Sequence, residues 1–407
     1  MTELTFTAKQ HRDMSNAIAA LSMDAVQRAN SGHPGMPMGM ADAATVLFSQ
    51  FLKFDPKDPN WADRDRFILS AGHGSMLIYS LLHLTGYEAV TMDQIKNFRQ
   101  LGSITAGHPE FGHVPGVETT TGPLGQGISN AVGFALAERQ LNARFGDDIV
   151  DHYTYVIAGD GCLMEGISQE AIGLAGHLGL NRLIVLWDDN NITIDGPVSL
   201  SSSTDQIKRF KSANWNTIAV NGHNRNSVAN AIRKAKASDK PTLIACKTTI
   251  GKGAPTKAGL NKAHGSPLGD EEIAGTRKTR GWKYPPFEIP DHVYADWAKP
   301  AAAGTKAHAD WADRLKSHPQ GADFKRAMSG KLEAGWQDAF KKYKESVAAE
   351  KPSMATRVSS NKALAPLTEL LSDLMSGSAD LEGSNKTKTA ATAVSYTHLT
   401  LPTIYSV

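Results

Sequence analysis

The stretch YVIAGDGCLMEGISQE, residues 155–170, leaves an apolar run through a glycine–aspartate–glycine turn and enters a helical pattern. The run ending at Ala158 predicts a strand, the glycines at 159 and 161 predict a turn, and the residues from Glu165 onward predict a helix. Asp160 then stands at the C-terminal end of a strand, the edge where α/β proteins present groups to ligands. Working outward, the strand YTYVIA (153–158) is one of five short β-rich runs, with RFILS (66–70), RLIVLW (182–187), TIAV (217–220) and TLIACKT (242–248). Helical patterns alternate with them, as in SMLIYSLLHLTG, GISNAVGFALAERQLNARFG, GISQEAIGLAGHLGL and NSVANAIRKAKAS. The expected fold class is α/β, a parallel sheet flanked by helices, with right-handed crossovers placing every strand's C-terminal end on one edge.

The run RLIVLW leads directly into Asp188, Asp189, Asn190 and Asn191, and 28 residues separate Gly161 from Asn190, enough for one crossover helix and its turns. If the two strands are neighbours, Asp160 and Asn190 meet above the same sheet edge. A carboxylate with an amide carbonyl suits Mg²⁺ or Ca²⁺ rather than zinc or copper, and such an ion fills its shell from water and phosphate. Gly159 and Gly161 permit close backbone approach, and the helix beginning near Glu165 points free N–H groups at an anion. Singly, GDG and DDNN are ordinary turn signals; their joint spacing outlines a diphosphate–metal site. No G-x-G-x-x-G follows a strand and no G-x-x-x-x-G-K-[ST] occurs, against a dinucleotide fold and an NTPase.

Of fourteen histidines, seven adjoin a glycine: His33, His73, His108, His113, His177, His223 and His264. Histidine in a tight loop at a sheet edge can reach a ligand and move protons near neutral pH. His177, inside a helical pattern, and His83, on an apolar helix, read as core or surface residues, while His113 and His223 stay open. Neither HExxH nor a close His-x₃-His pair occurs, so a histidine zinc site is not expected.

The 407 residues are long for one domain. Forty-three basic against 41 acidic residues give a net charge of +2, without the like-charge runs of a nucleic-acid arm or polybasic membrane segment. Cys162 and Cys246 have no CxxC spacing, which fits a reducing, cytoplasmic setting. No leader-like or membrane-spanning apolar run is read, and neither nucleic acid nor membrane is an expected partner. Expected boundaries are a first domain over 1–290, a helical linker over 291–352, the start of another domain over 353–389, and a read-through or cloning scar over 390–407. Within the first, 251–290 reads as a long Gly-, Pro- and Lys-rich loop. No internal repeat or heptad pattern is found.

The motifs LSMDAVQRANSGHPGMPMGMAD, DRFILSAGHGSMLIYSLLHLTGY, GHPE, GVETTTGPLGQGISNAVGFALAE, GDGCLMEGISQEA, DDNNITIDG, CKTTIGKGAP, AHGSPLGDEEI and GWKYPPFEIP, in this order, resemble the transketolase family of thiamine-diphosphate enzymes. The similarity runs from about residue 9 to 389. It implies a thiamine-diphosphate-binding fold, residues 1–290 forming the diphosphate domain and 353–389 beginning the pyrimidine-binding domain. The implied activity is transfer of a two-carbon ketol unit from a ketose phosphate, such as xylulose 5-phosphate, to an aldose phosphate in the pentose phosphate pathway. By the same resemblance, Asp160, the Asn190 side chain and the backbone oxygen of Ile192 hold Mg²⁺ (or Ca²⁺ or Mn²⁺), which grips the diphosphate. His73 and His264 touch that diphosphate, and Gly122, Pro123, Leu124 and Gly161 supply backbone contacts. His33, His108 and His264 surround the donor's reacting carbons, with the thiazolium as electron sink. Arg357 and Ser384 take the sugar phosphate. Glu165 lies at a subunit interface and Asp380 on the pyrimidine side, in a homodimer.

The resemblance ends just after GSADLEGSNKTKT, before most of the pyrimidine domain and the whole C-terminal domain. The expectation is a chain that carries half of the site and is inactive or nearly so alone. Alternative expectations are a dihydroxyacetone synthase-like thiamine enzyme, a non-catalytic cofactor-binding or dimerising fragment and, more remotely, a hydride-transfer enzyme.

Overall fold

Five short runs of β-branched and apolar residues form one parallel sheet: β1 (Arg66–Leu69), β2 (Thr154–Gly159), β3 (Leu183–Asp189), β4 (Asn216–Asn221) and β5 (Thr242–Lys247). The structure is a computed structural model that describes residues 3–376, 378 and 381–392. The strand order is β1-β2-β3-β5-β4. β1, β2, β3 and β5 are buried nearly throughout, as expected when helices cover both faces of a parallel sheet, whereas edge strand β4 is only partly buried. β2 and β3 are direct neighbours with Gly159 level with Asp188, so Asp160 and Asn190 leave adjacent strands at one edge.

The helices are those the sequence patterns predict, at Met76–Leu84, Gln126–Phe145, Gly166–His177 and Arg225–Lys236. Two more precede the sheet. Ala8–Ala29 opens with a capping box in which Thr7 and Gln10 satisfy each other's backbone N–H groups. Gly35–Val46 is buried at every residue, consistent with its alanines, methionines and near absence of charge. The loop expected over 251–290 is interrupted by a helix at Asp270–Arg280. Three acidic residues in its first turn, three basic ones in its last and a left-handed Gly281 at its C-terminus complement the helix dipole and close the last turn. The Gly and Pro content of the flanking segments had hidden this charge pattern.

Contacts divide the chain into two units, Met1–Arg139 with Val150–Ala312, and Gln140–Ile149 with Asp313–Val407. The first holds the sheet. In the second, Arg144 and Arg326 share Asp323 and Asp373 at 2.7–2.9 Å, and Tyr343 on the helix Trp336–Glu350 donates its hydroxyl to the Ser359 carbonyl on the helix Thr356–Leu370.

Gly176 shows how closely the crossover between β2 and β3 is packed. A Cβ there would stand 1.7 Å from the Ala213 carbonyl oxygen, and Trp215 Nε1 donates to the Ile172 carbonyl at 2.9 Å on the same contact. Gly176→Ala is expected to cost about 3 kcal/mol or more, because a backbone atom cannot swing away as a side chain can. A urea midpoint unchanged from wild type would contradict that packing.

Candidate diphosphate and metal site

β2 delivers Asp160 to the sheet edge almost completely buried. Its Oδ1 accepts from Trp187 Nε1 at 3.1 Å, while Oδ2 is buried with no hydrogen-bond partner among the described residues. Burial, with Asp188 and Asp189 nearby, pushes its carboxyl up to about 7. An orphaned carboxylate oxygen at a strand end is the kind of atom a cation satisfies.

β3 ends at Asp189, and the chain turns back in a tight hairpin: Ile192 bridges Pro197, Thr193 N–H donates to the Gly196 carbonyl at 2.7 Å, and Val198 N–H to Asn191 at 3.0 Å. Asn191 sits at φ 64°, a left-handed conformation that asparagine tolerates better than most residues. Asn190 Oδ1 accepts the Ile192 N–H at 2.8 Å, and its Nδ2 donates to Asp188 Oδ2 at 2.7 Å. Asp188 is fully buried and also accepts the Thr248 hydroxyl, just beyond β5. The site thus offers one carboxylate, one carboxamide and a turn of backbone carbonyls. Among the described residues, no group of three or more His, Cys, Asp or Glu side chains is arranged to hold a metal.

Three histidines from three separate segments converge. The ring centroids of His33 and His73 lie 5.1 Å apart, those of His33 and His264 5.7 Å, and those of His73 and His264 5.0 Å. Glycine makes the approach possible, since a Cβ on Gly35 would lie 2.4 Å from the Ala263 carbonyl oxygen. Asn261 fastens the His264 loop by donating to the Ile194 carbonyl in the β3 hairpin at 3.3 Å. His33 Nδ1 and His264 Nδ1 are buried without partners among the described residues. Burial, followed by the neighbouring imidazoles, lowers His33 to about 4 and His73 to about 3; burial also lowers His108 and His264. All four rings are therefore neutral at pH 7.

His108 is exposed and borders Gly122, where a Cβ would lie 3.0 Å from its ring; Gly122 itself has φ 138°. Leu124 borders Gly161, and Gly125 borders Glu165, an exposed residue at the start of the helix Gly166–His177. The GPLG segment, with exposed Pro123, thus bridges the histidine loops and the GDG turn. Arg357 and Ser384 lie in the second unit, both exposed, on the helices Thr356–Leu370 and Glu382–Asn385. Asp380 lies outside the described residues.

Other histidines have other partners. His83, half-buried, bonds the Val90 carbonyl and the Tyr294 hydroxyl, and exposed His113 pairs with Glu110 at 3.1 Å. His223 accepts the Thr249 N–H at 3.0 Å through Nε2, so its Nδ1 carries the proton that faces Asp42 at 3.0 Å.

Sequence reasoning missed Trp187, Asp188 and Arg99. Trp187 looks like the end of an apolar strand and Asp188 like part of a polar loop. Arg99, at φ 62°, donates to the Ser31 hydroxyl at 2.7 Å, packs against Gly107 and places its charge beside His33 and His108. No local signal marks it. Trp187→Phe removes the hydrogen bond that the Asp160 carboxylate accepts and, with Asp160 as the metal ligand proposed below, is expected to weaken Mg²⁺ affinity by about tenfold, as other changes behind metal ligands do. Calorimetric titration of the variant checks this, and an unchanged affinity would count against it.

Comparison with known proteins accords with this geometry. A family described as "Transketolase, thiamine diphosphate binding domain" matches residues 10–333. The chain belongs to the transketolase family. It is 57% identical over 381 residues to a transketolase of Cereibacter sphaeroides, covering 94% of this chain and 58% of that protein, and 55% identical to one of Rhodobacter capsulatus, covering 93% and 57%. Among solved structures, a transketolase from Leishmania mexicana superposes with a TM-score of 0.87 at 44% identity, covering 94% of this chain and 57% of that one. A transketolase of Pichia stipitis in complex with sedoheptulose-7-phosphate gives 0.88 at 41%, covering 95% and 58%. The chain thus spans rather more than half the length of these relatives, and the stretch it shares with them carries the thiamine-diphosphate-binding fold of the family. No helix among the described residues is long and apolar enough to cross a membrane.

Proposed function

We propose that this chain provides the metal–diphosphate half of a transketolase active site, in a protein that transfers a two-carbon ketol unit between sugar phosphates. The observation that carries this reading is the buried, unpartnered Oδ2 of Asp160 at the C-terminal end of β2, beside the end of β3. Asp160, Asn190 and the Ile192 carbonyl would hold Mg²⁺ or another hard divalent ion, with the diphosphate completing its shell. Gly122, Pro123, Leu124 and Gly161 would line the cofactor, and His73 and His264 would donate ring N–H groups to the diphosphate. Bound there, thiamine diphosphate supplies a thiazolium that takes up the electron pair of a cleaved carbon–carbon bond.

The chain's own part in the chemistry is proton management. His33, His108 and His264 are neutral at pH 7, so each can accept a proton from a substrate hydroxyl and return it. Arg99 favours that state for His33 and His108. Arg357 and Ser384 supply a guanidinium and a hydroxyl suited to a sugar phosphate. Homodimer formation and a cytoplasmic setting belong to the same reading. The test is calorimetric titration of the chain with thiamine diphosphate in the presence of Mg²⁺ and again in EDTA. Saturable binding that requires the metal is expected; binding indifferent to the metal, or none, would overturn the reading.

A further inference from the structure

Asp188 is a carboxylate with no exposed surface that the proposed ligand set does not use. It is the penultimate residue of β3, level with Gly159 on β2 and with Cys246 on β5. One oxygen accepts the Thr248 hydroxyl, and the other accepts Nδ2 of Asn190 at 2.7 Å. Lys247, at the end of the neighbouring strand β5, pairs instead with Asp189, at 3.3 Å.

A carboxamide has two faces. Half a turn about its last side-chain bond exchanges an oxygen that can bind a cation for an NH₂ that cannot. An ionised carboxylate only accepts hydrogen bonds, so contact with Asp188 is possible only for the NH₂ face of Asn190. The Ile192 N–H selects the same orientation from the other side by donating to Asn190 Oδ1 at 2.8 Å. The Thr248 hydroxyl, just beyond the end of β5, in turn fixes the Asp188 carboxylate, so the orientation of one proposed ligand is set by chain leaving two neighbouring strands.

We propose that Asp188 is a positioning residue: its buried carboxylate holds the Asn190 carboxamide with the nitrogen inward, committing the amide oxygen to the cation shared with Asp160. This rests on the metal–diphosphate reading above. Accepting from the NH₂ also polarises the amide and raises the donor strength of its oxygen, as outer partners of metal ligands generally do.

The test measures Mg²⁺ affinity of the chain calorimetrically at saturating thiamine diphosphate, alongside metal-free melting. Asp188→Leu and Asp188→Ala remove the acceptor and are expected to weaken Mg²⁺ binding by about 10- to 100-fold. Asp188→Asn can still turn an oxygen toward Asn190 and its own NH₂ toward the Thr248 hydroxyl, so it is expected to stay within about threefold of wild type. Wild-type affinity in the Leu and Ala variants would overturn the proposal, as would an Asn variant as weak as they are, which would show that the charge and not the hydrogen bond matters. If neither truncated variant melts cooperatively, hydrogen exchange of the Asn190 side-chain amide in metal-free wild type decides: one protected proton supports the proposal, and two freely exchanging protons overturn it. Failure of the wild type to bind Mg²⁺ with thiamine diphosphate would defeat the metal–diphosphate reading itself, whereas wild-type binding with unaffected Leu and Ala variants would defeat only the role of Asp188.

Discussion

Asp160→Ala is expected to abolish Mg²⁺-dependent binding of thiamine diphosphate, by at least about a hundredfold or on the order of 3 kcal/mol, while leaving the metal-free protein folded. Asp160 is the sole carboxylate in the proposed ligand set, and the Asn190 amide oxygen and the Ile192 carbonyl are neutral. Without it, no formal negative charge from the protein's own ligands faces the ion. The same substitution separates a ligand from a structural residue. In the metal-free protein the Asp160 carboxylate is buried, has one oxygen unpartnered and lies near Asp188 and Asp189. A group held at such cost weakens the empty fold, so Asp160→Asn, which keeps the shape and drops the charge, is expected to raise metal-free stability by about 1–3 kcal/mol. Paired melting curves with and without Mg²⁺ and thiamine diphosphate read both effects. Wild type should gain stability with ligand and the Asn variant should not. A variant that is destabilised when empty, or that still gains from ligand, would show that Asp160 serves the fold rather than the ion.

The second large effect is acid sensitivity of the histidine cluster. Burial, and then the charges that His264 and His33 would carry, hold His73 neutral down to about pH 3, against about 6.5 for an exposed imidazole. The sign follows from proton uptake. Below pH 6.5 the unfolded chain protonates this ring and the folded chain does not, so stability falls as pH falls, continuing until the folded pKa is reached. Between pH 7 and pH 5 the loss from His73 alone is about 2 kcal/mol. His33, lowered to about 4, acts in the same direction. His73→Gln removes the ring from this balance, so urea midpoints of wild type and variant should converge as the pH is lowered from 7 to 5. Parallel pH profiles for the two proteins would sink the argument. The contacts that keep these rings ready to accept protons at neutral pH also make the site a weak point of the fold in acid.

These effects come from groups of unequal visibility in the sequence. The GDG turn and the DDNN run are ordinary turn signals one by one and announce themselves only through their joint spacing at the ends of two apolar runs, and glycine beside histidine marks loops that can come close to other chain segments. Trp187 and Asp188 are silent by comparison. Their roles depend on which neighbouring strand each side chain reaches, and a linear pattern does not contain that. Arg99 is silent for the same reason: Ser31 and Gly107, the residues it touches, belong to two distinct loops. The helix Asp270–Arg280 was obscured by Gly and Pro in the flanking segments although its terminal charges were in plain view.

By itself the sequence determined the five strands, the helices between them, the strand-end position of Asp160 and the hard-oxygen character of its partner, because periodicity, turn residues and ligand chemistry are local properties. Strand order was left to the tertiary structure. The 28 residues between Gly161 and Asn190 permit adjacent strands without requiring them, and the hydrogen-bonded register of β2 with β3 is what places Asp160 and Asn190, the proposed ligands, on one edge. Only the packed chain decides that His33, His73 and His264 meet, that one oxygen of Asp160 is left without a partner, and that the Asn190 carboxamide is turned by a buried carboxylate. Each of these is a contact between residues far apart along the chain or on separate turns, and its energy exists only once the sheet has brought them within hydrogen-bond reach.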